Sequence, residues 1–286
     1  MPEVVVRGVT VARLGEHVWC LPLPSRTMPP FTTTNTYLIV ADGVAVIVDP
    51  GFNDEPSLEI VRGALDTLGA RLVKAILLTH THGDHLAGLE LVSAAFQRPA
   101  IYLHPEELAG VPGESTVHGM TDGRTLTVGS ALVRALHTPG HSPGHLCFHL
   151  TEAGVLLAGD LVAGSGSVWV GLPEGDVGEY LASLERMEAL PGLASLGPGH
   201  GPQVDRPYER LRESREHRQD REEQVLSSLG SPLSLADLRA SVYGDLPESL
   251  QRAAEASLLA HLRKLMGELR VVHLGDNEQG PYVLRR

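Results

Sequence analysis

Residues 75–86 read AILLTHTHGDHL, an apolar run that leads directly into three histidines and an aspartate. A short apolar run bounded by loops is typical of a buried strand, so the polar residues begin where that strand ends. His80 and His82 then lie on one side of the loop, and Asp84 and His85, at the start of the next helix, can point back towards them. Imidazole nitrogens and a carboxylate this close together predict a site for a divalent cation, zinc first, with manganese or iron as alternatives.

Three further candidate ligands lie in glycine-rich turns farther along the chain. His141 belongs to Thr-Pro-Gly-His, Asp160 to Ala-Gly-Asp after an apolar run, and His200 to Gly-Pro-Gly-His-Gly. Turns of this kind, at the ends of strands, deliver side chains to a common sheet edge. The pattern predicts a metal-dependent hydrolase whose ligands come from several strand ends.

The first 200 residues alternate strand-like and helical stretches. Residues 36–49 predict two strands joined by the Ala-Asp-Gly turn of a hairpin, and 73–78 a buried strand. Helical spacing predicts helices over 56–68, 85–96 and 176–190, and a series of strands is predicted between 124 and 157. This mixture predicts two sheets with helices outside them.

The composition changes after about residue 204. A charged stretch over 206–228 predicts a long helix, and shorter helices are predicted over 234–243 and 247–269. Two short strand-like runs at 270–274 and 281–284 follow, separated by a polar turn. Helices followed by a small hairpin predict a winged helix, so we expect a catalytic domain over 1–204 and a helical linker with a winged helix over 205–286.

The charge of the chain argues against a strong nucleic-acid binder. The 286 residues carry a net charge of −12; residues 1–200 hold 10 Lys+Arg and 21 Asp+Glu (net −11), and residues 201–286 hold 13 and 14 (net −1). Such a balance predicts weak affinity for a phosphate backbone. No apolar run approaches the roughly 18 residues of a membrane span, and charged residues interrupt the first valines, so neither membrane insertion nor secretion is expected.

The two cysteines give a further hint about location. Cys20 and Cys147 lie far apart in apolar runs, and neither belongs to a CxxC pair. They predict buried thiols rather than a disulfide framework or a thiolate metal cage. A reducing, cytoplasmic location is therefore expected.

The motifs HTHGDH, TPGH, AGD and GPGHG occur in one order along the chain, at 80–85, 138–141, 158–160 and 197–201. In these motifs the chain resembles the metallo-β-lactamase superfamily over about residues 10–205. The resemblance implies an αββα sandwich with two divalent metal ions at one edge of its sheets. It implies that His80, His82 and His141 bind one ion, that Asp84, His85 and His200 bind the other, and that Asp160 bridges both. Asp49, in Val-Asp-Pro-Gly, matches an aspartate that supports the ligands from behind.

The same resemblance implies a mechanism and narrows the substrate. Two ions can hold a bridging hydroxide as nucleophile, with Asp84 orienting it and accepting its proton. A β-lactamase of the commonest zinc type has cysteine where this chain has Asp160, so that activity is not expected. Residues 206–286 resemble the winged-helix appendage of β-lactamase-like proteins related to a single-strand endoribonuclease. This implies a phosphodiesterase acting on single-stranded RNA, with Asn35 contacting substrate; a turn residue entering the strand is an equal alternative for Asn35.

Two other functions stay open at this point. One is a small-molecule thioester or lactone hydrolase similar to glyoxalase II, and the other is a non-enzymatic metal-binding winged-helix scaffold. For the tail, a homodimerisation or active-site cap element is favoured over groove binding. His137 and His145 flank His141 at four residues on either side, and we expect them to be structural or to support the ligands.

Overall fold

The computed structural model describes residues 3–111 and 116–285 and divides into two compact units. The first comprises Met1–Thr138, Gly144–Gly166 and Leu190–Arg210, and the second comprises Pro139–Pro143, Ser167–Ala189 and Leu211–Arg286. Two stretches from the first 204 residues therefore group with the C-terminal helices. The units do not coincide with the predicted boundary at 204/205, which stays a prediction about domains.

The first unit contains two sheets. In the eight-stranded sheet the strands follow the order of the chain: β1 (Val4–Val6), β2 (Val9–Gly15), β3 (Val18–Pro24), β4 (Thr33–Ala41), β5 (Val44–Val48), β6 (Leu72–Leu77), β7 (Ala100–Leu103) and β8 (Val117–Gly119). The five-stranded sheet has the order β13-β12-β11-β10-β9, with β9 (Thr125–Val128), β10 (Ala131–His137), β11 (Leu146–Leu150), β12 (Val155–Gly159) and β13 (Ser195–Pro198). The two sheets agree with the architecture predicted from the alternating pattern.

The hairpin between β4 and β5 forms as predicted. Asp42 and Gly43 both have positive φ, at 51° and 80°. A two-residue turn with left-handed backbone at both positions matches the twist of the strands it joins, and Asp-Gly tolerates that backbone well. The turn sets the register in which Tyr37 pairs with Val48, which places Asp49 directly after the end of β5.

The helices of the first unit begin and end at recognisable signals. The helix α1 (Glu55–Thr67) is capped by Asp54, whose carboxylate accepts from the backbone N–H of Ser57 at 2.8 Å. The single helix predicted over 85–96 is wrong: α2 (Gly83–Leu86) and α3 (Leu89–Ala95) are separated at Gly88. A Cβ at Gly88 would lie 2.0 Å from the carbonyl oxygen of Phe52, so glycine allows the close backbone approach that interrupts the helix.

Two hydrophobic layers hold these elements in place. Val48 and Leu77 from the first sheet form a core with Phe148 and Leu157 from the second, and all four are at most 1% exposed. A second layer packs α1 and α3 against the opposite face of the first sheet. Cys20 and Cys147 are both buried thiols, as predicted. Because β5 and β6 are held by both layers and β12 by the layer between the sheets, the loops that follow these strands are anchored at one end.

The second unit consists of helices and a small hairpin. Its elements are α4 (Val177–Glu188), most of α5 (Pro207–Ser228), α6 (Leu235–Tyr243), α7 (Glu248–Gly267), β14 (Val271–His273) and β15 (Tyr282–Leu284), in agreement with the predicted helices and hairpin. Val225, Leu238, Leu262 and Tyr282 form its core. Among the described helices of the chain, none is long and apolar enough to cross a membrane.

Candidate metal centre

The first unit brings together all of the predicted ligands except His141. His80 and His85 are completely buried in the loop and helix after β6, while Asp160 and His200 follow β12 and β13. Two sets of three offer ligand atoms that all lie within 4.8 Å of one another: His80, His85 and Asp160, and Asp84, His85 and His200. Strand ends from both sheets therefore deliver these side chains to one place.

The separations between ligand atoms suit a divalent ion. They are 3.1 Å for His80 Nε2–His82 Nδ1, 3.4 Å for His85 Nε2–His200 Nε2, 3.4 Å for His85 Nε2–Asp160 Oδ1, 3.3 Å for His200 Nε2–Asp84 Oδ2 and 3.5 Å for His200 Nε2–Asp160 Oδ1. Ligands about 2.0–2.1 Å from a tetrahedral zinc ion lie about 3.3 Å from each other. The residues present therefore fit zinc in both donor chemistry and spacing.

Asp49 sets the proton positions of two imidazoles. Its Oδ2 accepts from His85 Nδ1 at 2.9 Å and from the Thr79 hydroxyl at 2.7 Å, and its Oδ1 accepts from the Thr79 backbone N–H at 2.8 Å. Because the Thr79 proton is directed to Asp49, its oxygen accepts from His80 Nδ1, 3.0 Å away. Both imidazoles therefore carry their proton on Nδ1 and present the Nε2 lone pair to the cluster, the form that binds a metal.

His200 is oriented by backbone contacts at the end of β13. Its Nδ1 donates to the carbonyl of Thr33 at 2.9 Å, so Nε2 carries the lone pair. Asn35 is 2% exposed, and its amide nitrogen donates to the carbonyls of Pro198 and Gly201, each at 2.9 Å. Asn35 thus holds the turn that carries His200, which is the structural alternative for this residue; the substrate contact implied by resemblance stays a prediction.

His141 belongs to the segment 139–143 of the second unit. It is 3% exposed, and its Nδ1 donates to the carbonyl of Trp169 at 2.7 Å. A carbonyl only accepts, so the proton lies on Nδ1 and the lone pair on Nε2. His141 is therefore in the same proton form as His80, His85 and His200.

Two side chains that were not singled out as ligands brace the loops. His145 Nε2 accepts from the backbone N–H of Asp160 at 3.1 Å, which makes it a support and not a ligand. Glu107, buried at 6% exposure, accepts from the backbone N–H groups of Thr81 and Gly144, each at 3.1 Å. Sequence reasoning missed Glu107 because its partners lie 26 and 37 residues away and no local motif marks it.

His137 forms a different group in the first unit. It offers a ligand atom close to His104 and Glu106, and its ring stacks on that of His104 with centroids 4.1 Å apart and 5° between the planes. The lone pairs of a ring lie in its plane, so parallel stacked rings do not direct them to a common point. This group is less suited to a metal than the cluster around His85.

The electrostatics of the cluster favour positive charge. Burial lowers the pKa of His85, but the charges of Asp160 and Asp49 outweigh burial and raise that pKa well above its ordinary value. Burial acts in the same way on His200, but the hydrogen bonds that its ring donates to Asp160 and Asp84 raise its pKa to about 9. Burial raises the pKa of Asp84, yet the hydrogen bond with His200 and the charge of His85 lower it to about 2. The carboxylates therefore stay ionised at neutral pH and attract positive charge: a proton on Nε2 of His85 and of His200, which a metal ion bound by the Nε2 lone pairs would displace.

Comparison with known proteins shows which family the chain resembles. A family model described as the metallo-beta-lactamase superfamily matches residues 29–200, and a model of the beta-lactamase associated winged helix domain matches residues 234–280. The chain is 30% identical over 264 residues to lactamase-like protein adaB of Aspergillus niger, covering 86% of this chain and 79% of that protein. It is 32% identical over 251 residues to atrochrysone carboxyl ACP thioesterase of Claviceps purpurea, covering 83% and 76%.

A solved structure shows the same likeness over almost the whole chain. The metallo-beta-lactamase family protein TTHA1429 from Thermus thermophilus matches with a TM-score of 0.78 and 29% identity, covering 94% of this chain and 99% of that one. The predicted fold class, a metallo-β-lactamase sandwich followed by a winged helix, is thereby confirmed. The chain therefore belongs to the metallo-beta-lactamase superfamily of hydrolases and carries a C-terminal beta-lactamase-associated winged-helix domain.

Proposed function

We propose that this chain is a dinuclear metallohydrolase. The observation that carries the proposal is the set of ligand separations between 3.1 and 3.5 Å, since all of them match the edges of a zinc coordination shell. His80, His82 and His141 would hold one ion, Asp84, His85 and His200 the other, and Asp160 would bridge them. His141 is assigned by its place in the motif order and by its Nδ1 proton.

The residues around the ions have separate tasks. Divalent ions in such a site lower the pKa of water and polarise the oxygen of a carbonyl or phosphoryl group. Asp84 is ionised at neutral pH and partly exposed, so it can orient a water molecule and accept its proton. Asp49 and Thr79 keep the imidazole lone pairs directed to the ions, and Asn35 holds the turn of His200.

For the substrate, we propose a thioester or related small-molecule ester. A relative that is 32% identical over 83% of this chain is named a thioesterase, acting on an acyl carrier protein substrate. The net charge of −12 supports the same choice, because it opposes the approach of a polyanion such as RNA. This reverses the order expected from the resemblance to the endoribonuclease subfamily, and RNA cleavage becomes the competing proposal, supported by the winged helix.

Parallel turnover assays test this order. Metal-loaded protein is given an S-acyl-N-acetylcysteamine thioester, an acyl-homoserine lactone and a single-stranded oligoribonucleotide under the same conditions. We expect thioester hydrolysis that is lost in His200→Ala and kept in His118→Ala, which removes an exposed histidine in β8. Cleavage of RNA alone, lost in His200→Ala, would replace the thioester proposal with the phosphodiesterase.

Metal analysis tests the dinuclear assignment separately. We expect about two equivalents of zinc for each chain after purification and dialysis. The variant His141→Ala should retain about one equivalent, as should His200→Ala, since each removes a ligand from a different ion. Full metal content in His141→Ala would contradict its assignment as a ligand.

A further inference from the structure

The second unit contains a cavity of about 220 Å³ that the hydrolytic function does not use. We call it the arginine cavity, after Arg218 and Arg221 of α5, which line it together with Trp169, Tyr243 and Leu250. All of its lining residues belong to the second unit. The shape and the charges of the cavity therefore depend on residues of that unit alone.

Arg218 is a buried cation whose contacts leave its charge uncompensated. It is 5% exposed, donates to the carbonyl of Val168 and lies 5.4 Å from the ring of Tyr180. Its Nε has no hydrogen-bond partner, and no carboxylate pairs with it in the part of the chain that the structure describes. Arginine does not lose its proton in proteins, and an unpaired buried charge is costly. A cation–π contact offsets only part of that cost.

Arg221 presents a second cation to the same cavity. Its guanidinium donates to the carbonyl of Val242 at 2.7 Å and to Gln224 at 2.9 Å, and lies 4.3 Å over the ring of Tyr243. All of these partners are neutral. Among residues 3–111 and 116–285, no carboxylate is paired with it. Both arginines are thus held in place by neutral groups, which fixes their position and leaves their charge for a ligand.

Most of the remaining lining is apolar, although Ser167, His217 and Ser257 also contribute to it. Leu246, Leu250 and Ala254 are among the apolar residues, and the indole of Trp169 is fixed by its hydrogen bond to the carbonyl of Ala253 at 3.0 Å. A cavity lined by two arginines, a few neutral polar groups and several apolar residues suits an organic anion. Arginine pairs are well matched to phosphate, whose oxygens accept two parallel hydrogen bonds from one guanidinium.

We propose that the arginine cavity is a binding site for the phosphate group of an organic phosphate ester. Arg218 and Arg221 would compensate the phosphate charge, and Trp169 and Leu250 would contact the organic part. A nucleotide and a phosphopantetheine arm both carry this chemistry. The proposal concerns binding alone and holds whether or not the hydrolytic substrate is a thioester.

The two tryptophans of the chain make the site directly observable. In a Trp19→Phe background, Trp169 is the only tryptophan and lines the cavity. Its fluorescence is followed in metal-loaded, full-length protein as inorganic phosphate, uridine 5′-monophosphate or 4′-phosphopantetheine is added. We expect a saturable change with at least one ester, weakened about tenfold or more in Arg221→Gln because a charge-assisted contact is lost.

Matched variants separate this site from the metal ions, which also attract phosphate. Arg212→Gln removes the same charge from an exposed position of α5 outside the cavity and should leave the affinity unchanged, while Arg221→Lys should retain part of it. Binding of both esters would support a site for the phosphate group in general. Binding of only one ester would identify which organic part the cavity accepts. No saturable change with any of the three probes would overturn the proposal. Binding that Arg221→Gln leaves unchanged would also overturn the proposal. If chelation of the metal abolishes such binding, the phosphate is held by the metal ions and not by the arginine cavity.

Discussion

Buried histidines occur in both units of this protein, and their surroundings have opposite charge. In the first unit, Asp49 and Asp160 raise the pKa of His85 well above its ordinary value despite complete burial. In the second unit, His261 is also completely buried, but its pKa is lowered, by burial first and then by Arg218 and Arg221 against the effect of Glu222. Burial acts alike on both rings, so the neighbouring charges decide the difference: carboxylates dominate around His85, whereas two arginines oppose Glu222 around His261.

The largest expected effect comes from removing a carboxylate that is proposed to bind metal in the first unit. Asp84→Ala should lower the hydrolytic rate by at least about 100-fold, because even the partners behind metal ligands are worth 10–100-fold. His82→Ala should act similarly. Rates and metal content are measured together with circular dichroism, which should show an intact fold. His118→Ala serves as the control, and normal activity in Asp84→Ala would remove this residue from the mechanism.

A smaller effect is expected from removing the hydrogen bonds that hold the Nδ1 protons of the histidine ligands. Asp49→Asn cannot accept from both His85 and Thr79 as the carboxylate does, so zinc affinity should fall about 10–100-fold. Thr79→Val removes the hydroxyl that links Asp49 to His80 but leaves the Asp49–His85 hydrogen bond, so it should cost less; Thr79→Ser keeps the hydroxyl and serves as its control. Competition with a chromophoric chelator gives the affinities. Equal affinity in Thr79→Val and Thr79→Ser would show that the link has no role.

The smallest effect is a pH dependence of stability in the second unit. The pKa of His261 is lower in the folded state than in the unfolded chain, so the unfolded chain takes up a proton first as the pH falls. The stabilising contribution of the neutral ring is therefore complete above its ordinary pKa of about 6.5 and decreases below it. Glu222, Arg218, Arg221 and Lys264 are the charged groups around this ring.

Urea unfolding of wild type and His261→Leu between pH 5 and pH 7.5 measures this contribution. The difference between the two proteins isolates the contribution of His261 from that of all other titratable groups. We expect the free energy of unfolding of the wild type to fall more steeply towards pH 5 than that of the variant. Parallel pH profiles would mean that His261 has the same pKa in both states.

The strands and helices were predictable where local signals are strong. The Asp-Gly turn after β4 and the Asp54 cap of α1 act through neighbouring residues, so the sequence shows them directly. The break at Gly88 was missed because its cause is the backbone of Phe52, which approaches from outside the helix. Local periodicity cannot report a contact made by another segment.

The candidate site likewise has a part that local sequence predicts and a part that it does not. The motifs marked each proposed metal ligand, since all of them are histidines or aspartates in or beside glycine-containing turns that follow apolar runs. The braces were harder to predict: Glu107 holds Thr81 and Gly144 from a helix with no motif of its own. The arginines of the cavity were hidden within a stretch of alternating charges on α5, where an arginine with a carboxylate partner looks the same as one without.

The sequence by itself determined the ligand types, their order along the chain and the strand ends that carry them, because these depend on residue identity and local periodicity. Which ring nitrogen presents its lone pair could not be predicted from the sequence, since that depends on Asp49, Thr33 and Trp169 reaching the rings from distant segments. The same is true of the burial of Arg218 in direct contact with the neutral groups of Val168 and Tyr180. Charge compensation acts through distance in space, and distance along the chain does not reveal it.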